Sequence, residues 1–195
     1  MDMGTTEGAE TRRLAAAFGE KGAILLDCPV SGGALTGTSR IFVGGDGDAF
    51  ERVEPILKVL GHPDHVVYCG PSSSGQAVKA VNQLGMGLVR AAYLEAVAFG
   101  IRCGVDPAAI ARGVGGEEAW RSEITRTVER MADEADGYQT VKGPELPYFL
   151  REARERGFRI PLTEALYAFC EGGPKRWKDN MDRPECSFWH QLMNA

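Results

Sequence analysis

Lys79 stands inside an apolar stretch that reads as a helix, with Asn82 three residues on and Gln83 four. That spacing puts the amine and the two amides on one helical face or beside it. A lysine among apolar neighbours gives up its proton more readily than one in water, which suits general acid/base work near neutral pH. The helix start nearby, after Gly75, would favour an anion in the same place. The same residues also fit a plainer role, a helix-start lysine with its stem buried and its charge in water.

A second group lies upstream, in Asp27-Cys28-Pro29-Val30-Ser31-Gly32-Gly33. Glycines leave backbone N–H groups open to a ligand, and the Ser31 hydroxyl adds a donor. Such a loop can hold a carboxylate or a phosphate. The plainer alternative is a strand-to-loop turn that needs glycine for its backbone alone. Lys142 could reach an anionic ligand, or be a solvated lysine before a helix. His62 and His65 are three apart, but His190 is the only other histidine in the chain, so no metal site is expected. The three serines Ser72 to Ser74 read as a loop and helix cap, and Trp177, Phe188 and Trp189 as packing anchors or interface residues.

The bulk composition narrows the class. Acidic residues outnumber basic ones, 27 to 22, and the net charge is -5, so no nucleic-acid face is expected. The cysteines, Cys28, Cys69, Cys103, Cys170 and Cys186, are odd in number and form no Cys-x-x-Cys pair. Free thiols in a reducing cytoplasm are the expectation, with no signal peptide at the start. The longest apolar segment, Ala77 to Cys103, is interrupted by Lys79, Asn82, Gln83, Arg90, Glu95 and Arg102. It therefore reads as the buried helix of a soluble protein rather than a membrane span.

The elements that must position these groups change in kind along the chain. Asp2 to Thr6 reads as a strand end and turn, Ala9 to Glu20 as a helix, and Ala23 to Leu26 as a short buried strand. Arg40 to Gly45 is a second strand. Asp48 to Leu60 is a helix with Asp46 or Asp48 as its cap, and His65 to Gly70 a third strand. After Pro71 strand signals stop. Helices are expected over Gln76 to Cys103, from Asp106-Pro107, and over Glu117 to Ala132. Two more follow, Glu145 to Arg156 closed by Gly157, and Pro161 to Cys170. The tail from Gly172 to Ala195 reads as irregular structure or short turns. The chain thus divides into an α/β part, 1–71, and an all-helical part, 72–195.

The two motifs, in this order and spacing, resemble those of the β-hydroxyacid dehydrogenase family, which includes 3-hydroxyisobutyrate dehydrogenase and tartronate semialdehyde reductase and is related to 6-phosphogluconate dehydrogenase. Asp2-Met3-Gly4-Thr5-Thr6 resembles the family's Asp-x-Ser-Thr segment, and Asp27 to Gly33 its substrate-binding signature. Val43-Gly44-Gly45 matches the strand that follows. Gly70 to Gly75, Lys79 and Asn82-Gln83 match the catalytic-lysine segment. The resemblance implies α/β followed by all-α: the C-terminal part of a Rossmann-type domain, then a helical domain like the C-terminal one of 6-phosphogluconate dehydrogenase. By the same resemblance Ser31, Gly32 and Gly33 would bind the substrate carboxylate, Asn82 and Gln83 would orient the substrate, and Lys79 would be the general acid/base. Thr5 and Lys142 would touch the cofactor, NAD or NADP. The partners implied are a small carboxylic acid and a second copy of the chain.

The sequence departs from the pattern in several places. Gln83 stands where the family has a second asparagine, one methylene longer. The family's Gly-x-Gly before the lysine helix reads Ser73-Ser74-Gly75. The late Lys-Asp-Leu motif aligns with Pro144-Glu145-Leu146, so Lys142 would have to substitute. No Gly-x-Gly-x-x-Gly occurs anywhere, although the family binds the pyrophosphate there. The resemblance implies an NAD(P)-dependent oxidoreductase interconverting a 3-hydroxy acid and its semialdehyde, weakly active as this chain. Two alternatives stay open: a non-catalytic acid-binding or dimerisation remnant, and a fragment of a full-length enzyme.

Overall fold

The computed structural model describes residues 1–32, 37–132, 141, 145–172 and 187–194. By internal contact the chain forms two units: Met1–Gln83 with Pro147–Arg159, and Leu84–Leu146 with Ile160–Ala195.

The first unit is built on a three-stranded sheet ordered β1 (Val30–Ser31), β2 (Arg40–Gly44), β3 (Val66–Gly70). β1 pairs antiparallel with β2, Val30 opposite Ile41. β2 pairs parallel with β3, Ile41 opposite Val66, with a register shift between Val43 and Gly44. Parallel pairing needs a crossover, and α2 (Gly47–Leu60) supplies it. Asp46 caps α2, its side chain accepting from Ala49 N at 2.8 Å. The core is Leu26, Cys28, Ile41, Val43, Ala49 and Leu57, with Met3, Val30, Phe50, Val53 and Val66 packed on it. Fully burying each such aliphatic side chain contributes roughly 1.5–3 kcal/mol. Tyr68 stacks on Phe50 and donates its hydroxyl to the Gly45 carbonyl.

α1 (Gly8–Gly19) completes this unit with most of a later helix, α6 (Leu146–Glu155), returning from far along the chain. Arg12 donates to Glu152 Oε1 at 2.7 Å and Oε2 at 3.3 Å, and Arg151 pairs with Glu7. Gly8 lets the helices approach, since a Cβ there would meet the Glu152 carboxylate at 2.7–2.8 Å. Gly157, at φ +75°, closes the turn after α6 as the sequence predicts.

α3 (Ser74–Arg102) is a single helix running from the first unit into the second. By length and composition it is apolar enough to cross a membrane. The expected burial is one-sided. Val78, Val81, Val89, Ala92, Ala96 and Phe99 recur at helical spacing and are all exposed, with Val81 at 71% and Phe99 at 74%. In the second unit, α4 (Pro107–Val114) starts as predicted, Asp106 capping Ala109 N and Pro107 in the first turn. α5 (Ala119–Ala132), α7 (Pro161–Gly172) and α8 (Phe188–Asn194) follow.

Two expectations fail. Ala23 to Leu26 is not a strand: Ala23 and Ile24 are exposed, and pairing begins only at Asp27, which bridges to Asp2 and to Gly44. The tail is not wholly irregular, because α8 folds with Phe188 buried edge-on to Phe169.

Candidate active site

The site is assembled where the start of α3 lies along the segment Asp27–Ser31. Lys79 is buried, and its Nζ donates to the Val30 carbonyl at 2.7 Å. One turn on, Asn82 Nδ2 donates to the Ser31 hydroxyl at 2.9 Å and to Gln83 Oε1 at 3.3 Å. Gln83 is itself buried. Gly32 follows at φ +89°, exposed and with nothing within 4 Å of where a Cβ would stand. Only glycine adopts that backbone without strain. From the other side Ser39 donates its hydroxyl to the Gly32 carbonyl at 3.2 Å. Lys79, Asn82, Gln83, Ser31 and Gly32 are therefore brought together in the first unit. Gly33 and Lys142 lie outside the described residues.

The segment under α3 is held rigidly. Asp27 exchanges backbone hydrogen bonds with Gly44, and Cys28 N donates to the Asp2 carbonyl at 2.7 Å. Burial pushes the Cys28 thiol up to about 11, with the charges of Asp27 and Asp2 adding to it against the opposing N-terminal charge. Cys28 is thus an inert core thiol rather than a nucleophile.

Asp27, Gln76 and Arg12 carry structure that the sequence reading left without a role, and Ser73, read as part of a loop and helix cap, carries more than that. Asp27 is fully buried, and its carboxylate accepts from Ser73 N at 2.9 Å and Gln76 N at 3.0 Å. Gln76 clamps the loop before α1: its Nε2 donates to the Gly4 carbonyl and to Thr6 Oγ1, and its Oε1 accepts from Thr6 N. Thr5 stands half-buried inside that clamped loop. Ser73 is buried at φ +73°, the left-handed region, where the family motif has glycine. Its hydroxyl accepts from Arg12 Nη1 at 3.0 Å. The signal for Asp27 was its place at the head of the Ser-Gly-Gly motif; Arg12 had none.

The chain matches the family model for the NAD binding domain of 6-phosphogluconate dehydrogenase over residues 1–70. It matches that for the NAD-binding of NADP-dependent 3-hydroxyisobutyrate dehydrogenase over residues 73–172. It belongs to the β-hydroxyacid dehydrogenase family, whose cofactor is NAD or NADP. Among its relatives are the 2-(hydroxymethyl)glutarate dehydrogenase of Eubacterium barkeri, 30% identical over 89% of this chain and 59% of that one, and the 2-hydroxy-3-oxopropionate reductase of Escherichia coli, 38% identical over 84% and 57%. The fold is shared with a solved 3-hydroxyisobutyrate dehydrogenase of Mycobacterium tuberculosis with L-serine, at TM-score 0.71 and 19% identity, over 99% of this chain and 68% of that one. The chain spans under three fifths of the length of these two curated relatives.

Proposed function

We propose that the chain carries the substrate and proton-transfer site of an NAD(P)-dependent oxidoreductase that interconverts a 3-hydroxy acid and its semialdehyde. The observation that carries this reading is the convergence of Lys79 and Asn82 on Val30–Ser31 beside the Gly32 turn. Ser31, Gly32 and Gly33 bind the acid's carboxylate through hydroxyl and backbone donors. Asn82 and Gln83 orient it. Lys79 takes the hydroxyl proton as the alcohol is oxidised and returns it in reduction. The nicotinamide, when bound, supplies the hydride acceptor or donor.

The residues present fit one end of that nucleotide. Gln76 fixes the loop carrying Thr5, which would touch the cofactor, and Lys142 would be a second contact. The glycine pattern that cradles a pyrophosphate does not occur in the sequence. Nucleotide affinity as this chain is therefore proposed to be weak. The apolar stripe on α3 supports association with a second copy, and the charged residues Arg90, Glu95 and Arg102 on the same helix argue against a lipid setting. The odd number of cysteines in the sequence, with no Cys-x-x-Cys pair, supports a cytoplasmic location.

The test is calorimetric titration of the chain with NADH and NADPH, followed by a 3-hydroxy acid screen of any binder. Saturable binding with turnover that Lys79→Ala abolishes supports the reading. Turnover unchanged by Lys79→Ala would sink it. Binding of a small acid with no nucleotide binding would favour the acid-binding remnant instead.

A further inference from the structure

We propose that Asp27 is the positioning residue for Lys79. Its buried carboxylate clamps the first turn of α3 and so sets the lysine amine on the Val30 carbonyl.

Three serines stand at the start of α3, and any of them could cap it locally. Instead the N–H groups of Ser73 and Gln76 both go to Asp27, 46 and 49 residues away in sequence. The carboxylate also complements the positive end of a helix of 29 residues. The backbone of Asp27 is itself fixed, since it is bonded to Gly44 in both directions. The anchor therefore does not move with the helix.

Asp27 and its client sit on the same two segments. From Asp27 to Val30 an extended chain advances about 10 Å. From Gln76 to Lys79 a helix rises about 4.5 Å. The long lysine stem makes up the difference, and Nζ reaches the Val30 carbonyl at 2.7 Å. Lys79 lies less than one turn beyond Gln76, so a tilt of the first turn passes to it undamped. Space around the clamp is closed: a Cβ at Gly75 would meet Asp27 Oδ2 at 2.8 Å, and one at Gly44 would meet Asp27 Oδ1 at 2.6 Å. The carboxylate has one place to go.

The clamp itself stands on geometry; its catalytic consequence rests on the role proposed for Lys79. The experiment separates the two. The full chain and its Asp27→Asn and Asp27→Ala variants are treated with trace acetic anhydride, and acetylation of Lys79 is read by peptide mass spectrometry against Lys21 and Lys58. Losing one charge-assisted bond should free the amine and raise Lys79 labelling about tenfold in Asp27→Asn, and further in Asp27→Ala. Lys21 and Lys58 should not change. Labelling of Lys79 that stays at the wild-type level in the folded, isosteric Asn variant would overturn the proposal. Loss of the cooperative thermal transition in Asp27→Asn would also overturn it, because it would mean that Asp27 holds only the fold. If Lys79 labelling follows Asp27 while Lys79→Ala leaves turnover untouched, the positioning stands and the catalytic role falls.

Discussion

Asn82 gives an amide proton to the Ser31 hydroxyl at 2.9 Å, across 51 residues of sequence. A hydroxyl that accepts from an amide keeps its own proton to donate elsewhere. Asn82 therefore aims Ser31 outward, toward whatever lies over the Gly32 turn. Asn82→Asp would place a carboxylate against that hydroxyl and would repel an acid ligand. We expect affinity for whichever 3-hydroxy acid the screen identifies to fall about tenfold in Ser31→Ala and more in Asn82→Asp, with the Ser31→Ala/Asn82→Ala pair less than additive. Calorimetry in the presence of NADPH checks this; additive losses would separate the two side chains.

Ser73 holds a left-handed backbone that costs a non-glycine residue about 1 kcal/mol or more. Its hydroxyl gains a bond from Arg12, but Arg12 keeps Glu152 and solvent when that bond is gone. Relief of strain wins. Ser73→Gly should stabilise the chain by about 0.5–1 kcal/mol, raising Tm by about 2 °C. A lower Tm would mean that the Arg12 bond outweighs the backbone.

Burial alone would raise the Glu152 carboxyl, but hydrogen bonds from Arg12 and Arg156 outweigh it and hold the group below its ordinary value. A depressed folded pKa gives stability that is complete above about pH 4.5 and is lost as pH falls through the folded value. Half-exposed partners limit the gain to about 1 kcal/mol. Glu152→Gln should cost that much in urea unfolding at pH 7 and progressively less as the pH falls through the lowered folded value. A pH-independent cost would assign Glu152 a packing role only.

Two core thiols reverse that sign. Burial raises Cys28 to about 11 and Cys170 to about 12. A thiol that stays protonated in the fold but ionises at its ordinary value of about 9 when unfolded favours unfolding as pH rises. Stability should decline from pH 9 toward about 11 at Cys28. Cys28→Ala, measured beside the wild type at pH 8, 9.5 and 11 (about where the window opens and closes), should remove that part of the slope. Parallel curves would contradict it.

The β2–α2–β3 unit was legible because local chemistry specified it: Gly44-Gly45 ends the strand, Asp46 caps the helix, and α2 carries its apolar residues at helical spacing. α3 was legible in length but not in burial, since an apolar run looks the same whether it faces a core or solvent. Ala23 to Leu26 misled for the same reason: four apolar residues carry no period that tells strand from loop. At the site, residue types and spacing predicted which side chains share a face of α3. They could not show Asp27 capping that helix, because its partners lie across the fold and three nearer serines offered a local answer. The left-handed Ser73 had one signal, its place at the first glycine of the Gly-x-Gly pattern, whereas its bond from Arg12 on α1 had none.

Asp27, Gly44 and Gly75 fill one another's space. A Cβ on Gly44 would fall 2.7 Å from Gly75 N, and one on Gly75 would fall 2.5 Å from the Phe42 carbonyl. A larger residue at either glycine evicts the carboxylate, and a smaller residue at Asp27 leaves two helix amides bare in the interior. Both glycines also abut backbone that no change at Asp27 moves. Random libraries of this chain should therefore return Gly44 and Gly75 unchanged and accept at Asp27 only its isostere, asparagine.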